Sequence, residues 1–87
     1  MSNFQLTIVT PQGKVFEGEV TYLKVPGADG SLGILARHAP LIATLKKGEL
    51  VVKQSTGEKA FQIGNGVLEV GEKGRVLVLS ESASAGS

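Results

Sequence analysis

The chain has 87 residues with nine Lys or Arg against eight Asp or Glu, a formal net charge of +1, which bounds it to one small domain near the lower size limit of independent folding. With 41% hydrophobic and 20% charged residues it is globular rather than disordered, and so slight a charge excludes the basic face of a nucleic-acid module. No apolar run approaches the ~20 residues of a membrane-spanning helix, and the absence of Cys removes disulfides, thiolate metal sites and a Cys nucleophile.

Ten Val, four Ile and five Thr favour a pleated surface, and the scattered Gly and Pro leave no room for a long helix. Phe4, Leu6 and Ile8 alternate with Gln5 and Thr7, the period of a half-buried strand. Pro11-Gln12-Gly13 turns the chain. A second strand is expected over roughly residues 14–25, with Phe16, Val20 and Tyr22 on one face. Its parity switches at Leu23 and Val25, which predicts a bulge or a coil that re-aims the strand, with Gly18 as the expected site. Pro26–Gly30 reads as a loop. Further short strands are expected at 31–36, 41–45, 50–53, 60–63, 67–70 and 75–79, separated by Lys46-Lys47-Gly48, Ser55-Thr56-Gly57, Gly64-Asn65-Gly66 and Glu72-Lys73-Gly74. Val76 to Leu79 are all apolar, as in a strand covered on both faces. The expected architecture is all-β, a flattened β-sandwich or barrel of about eight to ten short strands. It occupies residues 1–80, with a flexible tail over 81–87.

Little of the inventory supports catalysis. His38 is the sole histidine, no G-x-S-x-G elbow is present, and a nucleophile needs a base within hydrogen-bond reach. Zinc normally takes three or four protein ligands, so no metal, cofactor or catalytic residue is expected. Gly27, Gly30 and Gly33 lack the Lys and helix of a phosphate-binding loop and read as turn glycines. Lys46-Lys47 reads as solvated edge charge. Thr56-Gly57-Glu58-Lys59-Ala60 resembles the hairpin of lipoyl or biotinyl carrier domains, an alternative in which Lys59 is modified; the plainer reading is an exposed lysine opening a strand. The start Met1-Ser2-Asn3-Phe4 lacks the marks of a signal peptide, so a soluble domain on the cytosolic side is expected.

One segment is more distinctive. Val25-Pro-Gly-Ala-Asp-Gly-Ser-Leu-Gly-Ile-Leu-Ala-Arg-His-Ala-Pro-Leu41 closely resembles a stretch of the ε subunit of F-type ATP synthases. Phe4–Pro11 with Val15–Val20, Leu45–Leu50, Gly64–Val70 and Val76–Ala83 are similar to its other strands, so the resemblance covers residues 3–83. It implies a non-catalytic β-sandwich in the rotor's central stalk. That sandwich packs on the γ subunit and the membrane c ring, couples proton flow to ATP synthesis, and lies at the cytoplasmic face of the bacterial inner membrane.

Residue by residue, the resemblance implies that Asp29, Ser31 and His38 contact the c ring and that Thr10, Ala43 and Gly64 face γ, and Arg37 is expected to add a basic c-ring contact of its own. Departures accompany it. Ser31 stands where many relatives have Glu, Ala36-Arg37 replaces the frequent Pro-Gly before His38, and Gly64-Asn65-Gly66 replaces Ser-Gly-Gly. Relatives usually continue into a C-terminal hairpin of two helices, and some of them bind ATP through it or extend it to brake hydrolysis. A chain stopping at Ser87 is expected to couple and assemble without that brake.

Overall fold

The computed structural model describes residues 2–85. Strands follow one another as β1 (Phe4–Thr10), β2 (Gly13–Val20), β3 (Tyr22–Gly27), β4 (Gly30–Leu35), β5 (Leu41–Leu45), β6 (Gly48–Gln54), β7 (Gly57–Ile63), β8 (Gly66–Val70), β9 (Arg75–Ser80) and β10 (Ala83–Ala85), with one 3-10 turn at Glu72–Gly74. The expected all-β architecture is the observed one.

The strands form one continuous sheet in the order β10-β7-β6-β3-β5-β8-β9-β1-β2, with β4 attached to the remaining edge of β3. It folds over where β3 meets β5. There Gly27 opposite Leu45 is the only paired position, flanked by Ala28 N–H to the Thr44 carbonyl and Lys46 N–H to the Pro26 carbonyl, both 2.9 Å. Two layers result, β2-β1-β9-β8-β5 and β4-β3-β6-β7-β10. The open side is stitched by the Gln54 amide, which donates to the Glu19 carbonyl at 3.0 Å. Phe16 and Phe61 also meet there edge to face, 6.1 Å between centroids. Between the layers lies one core, including Leu6, Ile8, Leu23, Val25, Leu50, Val52, Leu68 and Val78. Period-two alternation supplies it directly, since β1 reads buried and half-buried by turns along its length.

Long-range pairing reshapes several local expectations. The strand anticipated over 14–25 is two strands: the chain crosses between layers at Thr21, whose N–H donates to the Lys53 carbonyl at 2.8 Å. Changing layers reverses which parity points inward, which explains the switch between Val20 and Leu23. A bulge exists, but at Val15, left over between the pairs Ile8–Phe16 and Val9–Lys14. Gly18 sits in regular register opposite Leu6. The expected loop at 26–30 is a tight hairpin closed by Gly27–Gly30 around Ala28-Asp29. Gly30 adopts φ 128°, a region closed to residues with a Cβ.

Two further corrections bear on function. Val76 and Val78 of β9 are buried, but Leu77 is half-buried and Leu79 is 46% exposed, so only one face of this strand is covered. The segment expected as a tail from 81 contains β10, paired with Phe61–Ile63 of β7. Backbone hydrogen bonding holds those residues despite their small side chains. Residues 86–87 of that tail lie outside the described residues.

Candidate functional site

The outward face of the β2-β1-β9-β8-β5 layer is the least expected feature of the surface. Register places Val9, Leu79, Val67 and Thr44 side by side in one row, and Glu17, Thr7, Leu77, Glu69 and Ile42 in the next. Ile42 is 74%, Leu79 46% and Val67 39% exposed. A soluble sheet face normally alternates apolar-in with polar-out. Contiguous apolar side chains on the outside mark a surface that another molecule covers. These residues were missed from sequence because an outward Val or Leu is indistinguishable there from one facing a second core. The available signal was Ile42, out of phase with Leu41, Ala43 and Leu45, and Val67, out of phase with Leu68 and Val70.

Two of the expected γ-facing residues lie toward one end of this face, Thr10 in its groove and Gly64 bonded to Ser80 of the same groove. Val9, Thr10 and Pro11 line a shallow groove with Asn65, Gly66, Val67, Leu79, Ser80 and Glu81. The Thr10 hydroxyl is used within its own turn, accepting the Gln12 N–H at 3.2 Å, and the residue is buried. Gly64 is half-buried under the β9–β10 connection, its N–H donating to the Ser82 carbonyl at 3.0 Å. Ala43 lies opposite Leu68 and packs against the core; the outward β5 residues are Ile42 and Thr44.

The four residues expected at the c ring divide between the two ends of β4. Asp29 occupies the β3–β4 turn and Ser31 begins β4, at the same end as Thr10 and Gly64. Arg37 and His38 follow the other end of β4. Six residues at ~3.3 Å each separate the pairs by roughly 20 Å, so any one partner touching all four must run along the unpaired edge of β4. His38 Nδ1 donates to the Ala39 carbonyl at 2.9 Å and its N–H to the Leu35 carbonyl at 3.3 Å, leaving Nε2 for an outside partner. Arg37 adopts φ 65°, and it shares a cleft with His38, Glu72 and Lys73.

Lys59 is not at a hairpin tip. The β6–β7 turn is Ser55-Thr56, and Lys59 stands opposite Val52 within β7, its ammonium 5.5 Å from the Phe16 ring centre. A carrier lysine must stand clear of its domain to swing. This one is set into a strand and stacked on an aromatic ring, which removes the basis of the carrier alternative. Among the described residues, no three His, Cys, Asp or Glu side chains gather where they could hold a metal ion, and no helix is long and apolar enough to cross a membrane.

Comparison with known proteins accords with this architecture. Residues 3–86 match the family model for the ATP synthase delta/epsilon chain β-sandwich domain. An ATP synthase epsilon chain from Caulobacter vibrioides is 35% identical over 85 residues, 98% of this chain and 99% of that one. One from Rhodopseudomonas palustris is 38% identical over 98% of this chain but 62% of its own length, and one from Desulforamulus reducens is 46% identical over 91% and 59%. The chain thus spans the full length of the first of these relatives and about three fifths of the other two. A chain in the Euglena gracilis mitochondrial ATP synthase superposes with a TM-score of 0.91 at 22% identity, over 98% of this chain and 54% of that one. At that identity the likeness is one of fold.

Proposed function

The chain belongs to the ATP synthase delta/epsilon β-sandwich family, and from that premise we propose that it acts as an epsilon-type component of the rotor's central stalk, without catalysis of its own. It joins the γ subunit to the c ring, turns with both, and so couples proton translocation to ATP synthesis. It sits peripherally at the cytoplasmic face of the bacterial membrane, held there through the complex.

The observation that carries this reading is the uncovered outer face of the β1-β9-β8-β5 strands, with Thr10 in the groove at its rim and Gly64 bonded to Ser80 beside it. Torque transmission needs a body that does not deform. A single core closed between two hydrogen-bonded layers supplies that stiffness, because close-packed interiors are poorly compressible. It also needs a broad docking surface, and the exposed apolar rows provide one. The unpaired edge of β4, ending in Arg37 and His38, is the surface assigned to the c ring. Asp29 and Ser31 at its far end extend that contact along the same strand.

Adding the protein to membranes whose own epsilon chain has been removed tests this. Restored proton-driven ATP synthesis, with the protein retained in the purified complex, is the expected result. Failure to co-purify with the γ subunit refutes the assignment.

A further inference from the structure

Glu69 lies where the apolar face meets a polar cleft that Gln5, Thr7, Glu17, Glu19, Glu72 and Arg75 also line. Glu69 stands on β8 with Leu77 opposite it on β9 and Ile42 opposite it on β5. Leu79 and Val67 fill the neighbouring row. Among the described residues the ion pairs are Lys14–Glu17 and Lys53–Glu58, so Glu69 takes part in none. Arg75, two residues along β9 from Leu77, is on the same face but outside ion-pair distance. While the face is exposed, water solvates the carboxylate. Once an apolar surface covers Leu77, Ile42 and Val67, that water is expelled and the charge must be matched or carry its full desolvation penalty.

Resting on the stalk reading above, we propose that the γ surface seated on this face presents an apolar stripe interrupted by one cationic side chain, an Arg or Lys, placed to bond Glu69. The apolar rows supply area and the carboxylate supplies register. A partner displaced by one strand spacing or rotated about its axis sets a methyl group over the carboxylate and leaves its own cation without a counter-charge. In a rotor, where two bodies must not slip under torque, one buried charge pair fixes orientation in a way that apolar contact cannot. An Arg would suit best, because its planar fork meets both carboxylate oxygens at once.

The test is calorimetric titration of this protein into the γ-containing catalytic head depleted of its own epsilon chain, at low and high salt. Glu69→Leu is the deciding variant because the two alternatives predict opposite signs. If a cation faces Glu69, E69L weakens binding by about tenfold or more, E69Q weakens it less, and both flatten the salt dependence. Arg75→Gln leaves affinity unchanged.

Tighter or unaltered binding by E69L overturns the proposal, since the carboxylate is then merely desolvated. Equal losses in R75Q and E69L also overturn it, because the counter-charge is then the protein's own Arg75. Self-association of the wild type through this face in sedimentation equilibrium, without γ binding, assigns the surface to a second copy and overturns it as well. Failure of the wild type to bind the γ-containing head at all overturns the stalk reading itself. That outcome is distinct from normal binding that is indifferent to Glu69.

Discussion

The Ser80 hydroxyl accepts the Gly64 N–H at 3.1 Å, and its single proton lies between the Ser82 carbonyl at 2.7 Å and the Gly64 carbonyl at 3.2 Å. One buried side chain thereby ties the β7–β8 turn to the β9–β10 connection, at the end of the sandwich assigned to γ. Ser80→Ala removes these bonds but leaves the Gly64 N–H paired with the Ser82 carbonyl at 3.0 Å, so the expected cost is about 0.5–1.5 kcal/mol. Thermal unfolding measures it, at roughly 4–8 °C per kcal/mol for a domain of this size. Faster amide exchange at residues 83–85 is expected alongside. An unchanged melting temperature would show that water replaces the hydroxyl without loss.

Gly66 is required by close approach rather than by an unusual dihedral. A Cβ at this position falls 2.0 Å from the Leu79 carbonyl oxygen and 2.9 Å from Ser80 Cα, both backbone atoms of the paired strand. Gly66→Ala must therefore push β8 away from β9, and a destabilisation of about 1–3 kcal/mol is expected in denaturant titration. Gly13→Ala makes an informative contrast. A Cβ there meets nothing within 4 Å, but φ is 125°, so its cost comes from the dihedral alone.

Arg37 holds a left-handed backbone, φ 65°, which costs a residue with a Cβ roughly 1–2 kcal/mol relative to the right-handed region. Glycine removes that cost but adds flexibility to the unfolded chain, so Arg37→Gly is expected to stabilise by about 0.5–1 kcal/mol. The same variant deletes a cation from the surface assigned to the c ring. Raised thermal stability together with weaker retention of the complex in high-salt washes is the expected signature; a fall in stability would oppose it.

Ile42→Asp separates fold from function. The side chain is 74% exposed and points away from the core, so the stability cost is confined to a poorer strand former and a carboxylate set opposite Glu69, about 1 kcal/mol. Co-purification with the γ subunit should nevertheless fall at least about tenfold, as for an anchor at the centre of an interface. Wild-type assembly by a normally folded I42D protein would remove this face from the proposed contact.

Much of the fold was legible because it rests on local physics. Phe4, Leu6 and Ile8 against Gln5 and Thr7 define an inward and an outward face whatever else the chain does. Ser55-Thr56 and Gly64-Asn65 turn the chain where their composition says they should. What failed to show was set by partners distant in sequence. Thr21 carries no mark of a layer crossing; its hydrogen bond to Lys53 exists only because β6 lies there. Val15 bulges because β1 and β2 must both meet their register, and Gly18 offered only a permissive backbone. β10 is held by the edge of β7, which small Ser and Ala side chains could not announce.

The site divides the same way. The chain segment from Val25 to Leu41 was recognisable as a motif, but Asp29 and His38 fall at opposite ends of β4, a separation that only the hairpin register establishes. Ala43 turned inward and Ile42 outward because β5 pairs with β8 in one register.

By itself the sequence determined that this is a helix-poor, cysteine-free sandwich, since alternation and turn chemistry act over a few residues and need no tertiary context. Tertiary structure decided which apolar residues are core and which are surface. A strand's period of two divides its side chains between two faces, but whether the second face meets another layer depends on how the whole sheet closes. Here it closes over only one face of β8 and β9, leaving Val67, Leu77 and Leu79 around Glu69 on the outside.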